Sequence, residues 1–88
     1  MSRAFVKEDA DGRERRYSLP ARSDPGYDAA AAMALLEGAN VGDSYGAELA
    51  TGYRWGEPKL RTHVERILAQ ARTERNERLE QLAERFLR

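Results

Sequence analysis

Few residues in this chain have types that could do chemistry, and their spacing decides what each can do. His63 is the single histidine. Its nearest acidic neighbour, Glu65, is two residues on and therefore off its helical face. That leaves neither a His-x-x-x-His nor a Glu-x-x-His pair to hold a metal, and no placed partner for acid-base work. Asp43 and Glu48 flank Ser44 and have the residue types of an acid pair, yet Asp43 or Ser44 opening a helix accounts for them as a cap. Gly38, Gly42 and Gly46 are spaced like a phosphate-cradling loop. The span has no Gly-Lys-Ser/Thr ending, no preceding strand and no Lys or Arg, which are the groups that would grip a phosphate. With no cysteine there is no thiolate site and no disulfide framework. The expectation is a protein that is not an enzyme, with no catalytic residue, metal or cofactor.

Charge and aromatic residues leave binding as the remaining chemistry. The formal net charge is zero, but residues 1–26 carry six Lys/Arg against five Asp/Glu, residues 27–58 one against five, and residues 59–88 eight against five. An acidic middle and a basic tail can complement each other within one molecule or across a homodimer. The tail offers Arg72, Arg75 and Arg78 as contacts to nucleic acid. Its arginines are interleaved with Glu65, Glu74, Glu77, Glu80 and Glu84, however, and Glu74/Arg78 and Glu84/Arg88 are four apart in the favourable order. A solvated, salt-bridged face is therefore favoured over a counterion-releasing one. Protein contact is the leading alternative, through Phe5, Tyr53, Arg54, Trp55, Phe86 and Leu87, because aromatic side chains and Arg anchor interfaces. Phe86 and Leu87 are expected to be exposed at the end of the last helix.

The elements that must position these residues are helical. At 88 residues the chain makes one domain. Fourteen of its hydrophobic residues are alanine, so the larger apolar side chains suffice for one thin core and no deep cleft. The longest apolar run, Ala29 to Leu36, is too short to span a bilayer, and no charged-then-apolar leader opens the chain. A soluble, cytoplasmic protein is expected.

Residues 1–24 read as a charged arm or a small β-hairpin. Its strands would be Arg3 to Lys7 and Arg16 to Leu19, joined by Asp9-Ala10-Asp11-Gly12. Residues 25–88 then form an all-α bundle of three or four short helices. Asp24-Pro25 opens the first, over Pro25 to Glu37, with Tyr27, Ala31, Ala34 and Leu35 on one face and a left-handed Gly38 or Asn40 ending it. The second runs from Asp43 or Ser44 to Thr51, with Tyr45, Leu49 and Tyr53 four residues apart and Gly52 as its stop. Trp55 in the hinge after it is expected to be the main core residue, together with Leu35, Leu49, Val64, Ile67 and Leu68. Glu57-Pro58 opens a third helix to Arg72, striped by Leu60, Val64, Ile67, Leu68 and Ala71. The stripe lapses from Arg72 to Arg78 and resumes at Leu79, Leu82, Ala83, Phe86 and Leu87. Asn76 as a cap, with Glu77 in the first turn, favours an antiparallel hairpin over one long helix.

The opening Met1-Ser2-Arg3-Ala4-Phe5-Val6-Lys7-Glu8-Asp9 and the later Leu19-Pro20-x-Arg22-x-x-Pro25-x-Tyr27 resemble the leader of bacterial Gre-type transcription elongation factor relatives. Gly42-Asp43-Ser44 and Ala47-Glu48 are similar to the acidic tip of that family's coiled-coil hairpin. The resemblance implies contact with the transcription machinery, RNA polymerase as a partner above all. It carries over no catalytic residue, since the tip's second carboxylate falls at Gly46. Gly52, Gly56 and Pro58 also interrupt what the family builds as a continuous helix. The function expected is a non-catalytic protein-interaction module, possible links to transcription resting on the resemblance alone. The alternative is a nucleic-acid-binding accessory protein that uses the Arg-rich C-terminal helices.

Overall fold

A computed structural model describes residues 17–88. Phe5, the strand expected at Arg3 to Lys7, its turn and most of the leader lie outside the described residues. The described chain is all-α, with helices α1 (Tyr27–Asn40), α2 (Ser44–Thr51), α3 (Arg61–Glu74) and α4 (Glu77–Leu87), and a single 3-10 turn over Pro58–Leu60 ahead of α3. Among the described residues there is no strand, so the return strand expected through Leu19 does not form there. Tyr17 instead is buried and Leu19 packs against the core. Residues 17–24 thus lie against the helices through Tyr17 and Leu19.

α1 is the centre of the fold. It packs on α2 at one side and on the α3/α4 hairpin at the other, whereas α2 packs on no other helix among the described residues. Being covered on several sides, α1 is buried at Ala31, Ala32, Ala34, Leu35 and Leu36, beyond the single stripe expected of it. It begins two residues later than expected. The Asp24 carboxylate accepts the Gly26 N–H at 2.7 Å and the Asp24 carbonyl accepts the Tyr27 N–H, which closes a turn through Pro25 before the helix starts. Its end also moves, because Gly38 stays helical and the left-handed residue is Gly42 (φ +76°).

The gap between Arg72 and Arg78 is a turn. Arg75 takes the left-handed conformation (φ 60°) and the Asn76 N–H returns to the Ala71 carbonyl at 2.8 Å, closing α3. The Asn76 side chain then accepts the Leu79 N–H at 3.2 Å and opens α4. Glu57 does the same for the 3-10 turn, accepting the Lys59 N–H. The hairpin brings Leu60, Val64, Leu82, Ala83 and Phe86 against Leu35 and Leu36.

Two core expectations are corrected. Leu49 is exposed, since its side of α2 faces away from α1. Trp55 is half-buried at the rim, its ring edge-on to Phe86 with centroids 4.9 Å apart, and the fully buried large side chains are Leu35, Leu36, Leu60, Val64 and Leu82. Ile67 and Leu68 pack on that core from partly buried positions.

Candidate interaction surface

α2 turns its large side chains outward, and small residues are the cause. Its inward side is Gly46, Ala47 and Thr51, all buried. Gly38 of α1 faces Ala47 so closely that a Cβ on it would lie 2.6 Å from the Ala47 Cβ. Two helices that approach on glycine and alanine have no room between them for Tyr45 or Leu49. At 100° per residue those two lie together on the side opposite Ala47 and Thr51. Val41, Tyr45 and Leu49 are consequently the large hydrophobic side chains that stand exposed among the described residues, at 62%, 70% and 55%.

Polar pins hold α2 in this orientation. The Tyr17 hydroxyl donates to the Asp43 carboxylate at 2.7 Å. Asp43 sits at the N-cap position expected of it, but its side chain does not cap the helix, because that carboxylate serves Tyr17. At the other end Gly52 is left-handed (φ +80°), as its place after Thr51 anticipates, and a side chain there would collide with Arg22. Thr51 is fully buried; its hydroxyl donates to the Ala47 carbonyl and accepts the Tyr53 N–H. Its carbonyl accepts from the Tyr27 hydroxyl at 2.8 Å and from Arg22 at 3.2 Å. Arg22 also lies over the Tyr27 ring, 5.4 Å from its centroid.

Beside α2, the segment after Gly52 forms one wall of an open groove of about 280 Å3 lined by Tyr45, Glu48, Leu49, Gly52, Tyr53 and Arg54. Tyr53 is half-buried, tilted against Tyr27, and its hydroxyl donates to the Asp28 carboxylate at 2.7 Å. That hydrogen bond, then desolvation and the nearby Asp28 and Glu57 charges, raises the Tyr53 pKa above its ordinary value. Glu48 accepts the Trp55 N–H at 2.9 Å, so the Asp43/Glu48 pair is divided between two structural bonds. Arg54 is exposed on the groove wall.

Comparison with protein-family models, curated proteins and solved structures finds no match to this chain. The surface must therefore be judged on its own residues.

Of the expected partner contacts, the structure brings Tyr53 and Arg54 to this groove and places Trp55 just behind it on Phe86. Phe86 is corrected: it is 2% exposed, because the hairpin folds α4 back onto α1. Leu87 is partly buried on the same core. The three arginines stand on α3, in the turn and on α4. Arg72 forks between Glu80 (3.3 Å) and Glu84 (3.0 Å) on α4, and these bonds raise its pKa further. Arg75 occupies the turn, and Arg78 donates across to Asn40 at 2.8 Å. The turn also separates Glu74 on α3 from Arg78 on α4, and Glu84 reaches to Arg72, so the expected four-apart pairs give way to bonds across the hairpin. His63 buries its Nδ1 without a hydrogen-bond partner among the described residues, and no group of three His, Cys, Asp or Glu side chains there is placed to hold a metal.

The sequence held the signal for the outward face, in Gly46, Ala47 and Thr51 opposite Tyr45 and Leu49. What it lacked was the identity of the surface that α2 meets. A large apolar stripe ordinarily faces the core, and only the Gly38/Ala47 approach reverses that here.

Proposed function

We propose that the chain is a non-catalytic protein-interaction module whose docking surface is the outward side of α2 with the adjoining groove. The observation that carries this reading is that, among the described residues, α2 packs on α1 alone while Tyr45 and Leu49, one turn apart, stand exposed. An apolar row on an exposed helix, rimmed by polar groups, is what a protein partner covers. No described helix is long and apolar enough to cross a membrane. The similarity of the leader to Gre-type relatives makes RNA polymerase the first partner to assay, which goes with a cytoplasmic setting. Nucleic-acid binding through Arg72, Arg75 and Arg78 is the weaker reading, because Glu80 and Glu84 already occupy Arg72.

The test compares the wild type with a Tyr45→Ser/Leu49→Ser variant as bait, with purified RNA polymerase and then a cell extract offered to each. Proteins kept by the wild type and lost by an equally helical variant support the reading. Identical sets of retained proteins refute it. Retention of nucleic acid that falls steeply with salt and persists in the variant would put the arginines first.

A further inference from the structure

The charge around the α2 surface selects among the occupants it could have. Residues 27–58, which make up α1, α2 and the following turn, carry Asp28, Glu37, Asp43, Glu48 and Glu57 against Arg54 alone. Glu48 lines the groove beside Leu49, and Asp28 and Glu57 both act on the Tyr53 ring that forms its wall. Arg54 lines the same groove, and Arg22, whose guanidinium lies against Gly52, also acts on Tyr53, so two cations stand against the three carboxylates Glu48, Asp28 and Glu57.

A second copy docking through the same face would set two such acidic halves against each other, and like charges opposed across an interface disfavour it. Nucleic acid and anionic lipid surfaces are disfavoured by the same field. A segment that is apolar on one side and basic on the other meets no such cost. The apolar row is short as well. α2 has eight residues, a length of about 12 Å at the ordinary rise per residue, so Tyr45 and Leu49 match side chains one turn apart on a helix of two to three turns.

Resting on the docking role proposed above, we infer that the occupant of the α2 surface is a short amphipathic helical segment of another protein, with large apolar residues one turn apart flanked by lysine or arginine. Its apolar row lies on Tyr45 and Leu49 and its basic residues face Glu48. Electrostatic attraction then speeds encounter and rejects acidic competitors, while the apolar contact sets how long the complex lasts.

The test is a display library of 12-residue helical peptides with leucine or phenylalanine at positions four apart and Lys, Arg, Asp, Glu and Ser randomised around them, selected on the immobilised full chain. The selected peptides are then measured against Leu49→Ser and Glu48→Gln. Glu48→Gln removes the charge and leaves an oxygen to accept the Trp55 N–H, so it spares the fold. The expected result is enrichment of net-basic peptides whose affinity falls about tenfold or more in Leu49→Ser, as at an interface hot spot. Glu48→Gln should weaken them about threefold, the scale of an exposed ion pair, with a loss that shrinks as salt rises. Peptides that need Leu49 but show no basic bias would overturn the inference and leave the docking role standing. Failure of any peptide to depend on Leu49 would overturn both. Concentration-dependent dimers in sedimentation, dissolved by Leu49→Ser, would make a second copy the occupant and overturn the inference.

Discussion

Two leucines, both expected in the core from the sequence, should respond to truncation in opposite ways. Leu35 of α1 is 1% exposed and sits where α1 meets the hairpin, whereas Leu49 of α2 is 55% exposed. Leu35→Ala removes a side chain from a closed core, at a cost of about 2–5 kcal/mol. Leu49→Ala removes one with less than half its surface covered, and full burial of a leucine is worth only about 1.5–3 kcal/mol, so about 1 kcal/mol is an upper bound. A small gain in helix propensity offsets part of that. Urea unfolding followed by circular dichroism at 222 nm measures both, with shifts in midpoint and an unchanged slope. In thermal unfolding each kcal/mol moves Tm by about 4–8 °C for a domain of this size. Leu35→Ala should therefore melt ~8 °C or more below the wild type, and Leu49→Ala less than ~8 °C below it. A Leu49→Ala variant that loses as much as Leu35→Ala would mean that α2 packs its large side chains inward, and the interaction surface would not exist.

Three further outcomes follow from local geometry. Arg75 holds a left-handed conformation that costs a non-glycine residue about 1–2 kcal/mol, so Arg75→Gly should stabilise the fold by about 0.5–1 kcal/mol after the added unfolded-chain entropy, read as a higher urea midpoint. Asn76→Ala removes the side-chain acceptor for the Leu79 N–H and should cost about 0.5–2 kcal/mol in the same assay. Tyr53 has a raised pKa in the folded state because its hydroxyl donates to Asp28, so its contribution is present below the unfolded tyrosine value of about 10 and is lost as pH rises through the folded value. Stability should fall as pH is taken above about 10, and Tyr53→Phe should flatten part of that fall; an identical profile in the variant would contradict the role of this bond.

The pattern of hydrophobic residues reveals an element when one face is apolar and one neighbour covers it. α4 is such a case: Leu79, Leu82, Ala83 and Phe86 follow the helical period, and Asn76 announces its start. The turn before it was legible from the apolar gap and the cap together, since no left-handed preference marks Arg75. The period puts Phe86 on the right stripe without showing that it is buried, because a sequence does not say how far a terminal helix folds back. α1 hid its extent in alanine, which is apolar on every side and gives almost no contrast between faces. For α2 the sequence shows the period and not its direction. A tyrosine and a leucine outweigh Gly46 and Ala47 in any measure of hydrophobicity, yet close packing on Gly38 depends on smallness rather than apolar area. The groove walls were the most legible part of the site, because Tyr53, Arg54 and Trp55 stand together between two glycines. The hydrogen bonds that fix them, to Asp28 and Glu48, join residues too far apart in sequence for spacing to predict.

The α2 surface is the part of this molecule proposed to meet another protein. A photo-crosslinking residue placed at Tyr45 or Leu49, and separately at the exposed Arg66 of α3 as a control, tests it in the cells that make the chain. Discrete crosslinked protein species from positions 45 and 49 that are missing from position 66 are the expected result. No crosslinked species from either α2 position, or the same species from all three, would contradict it.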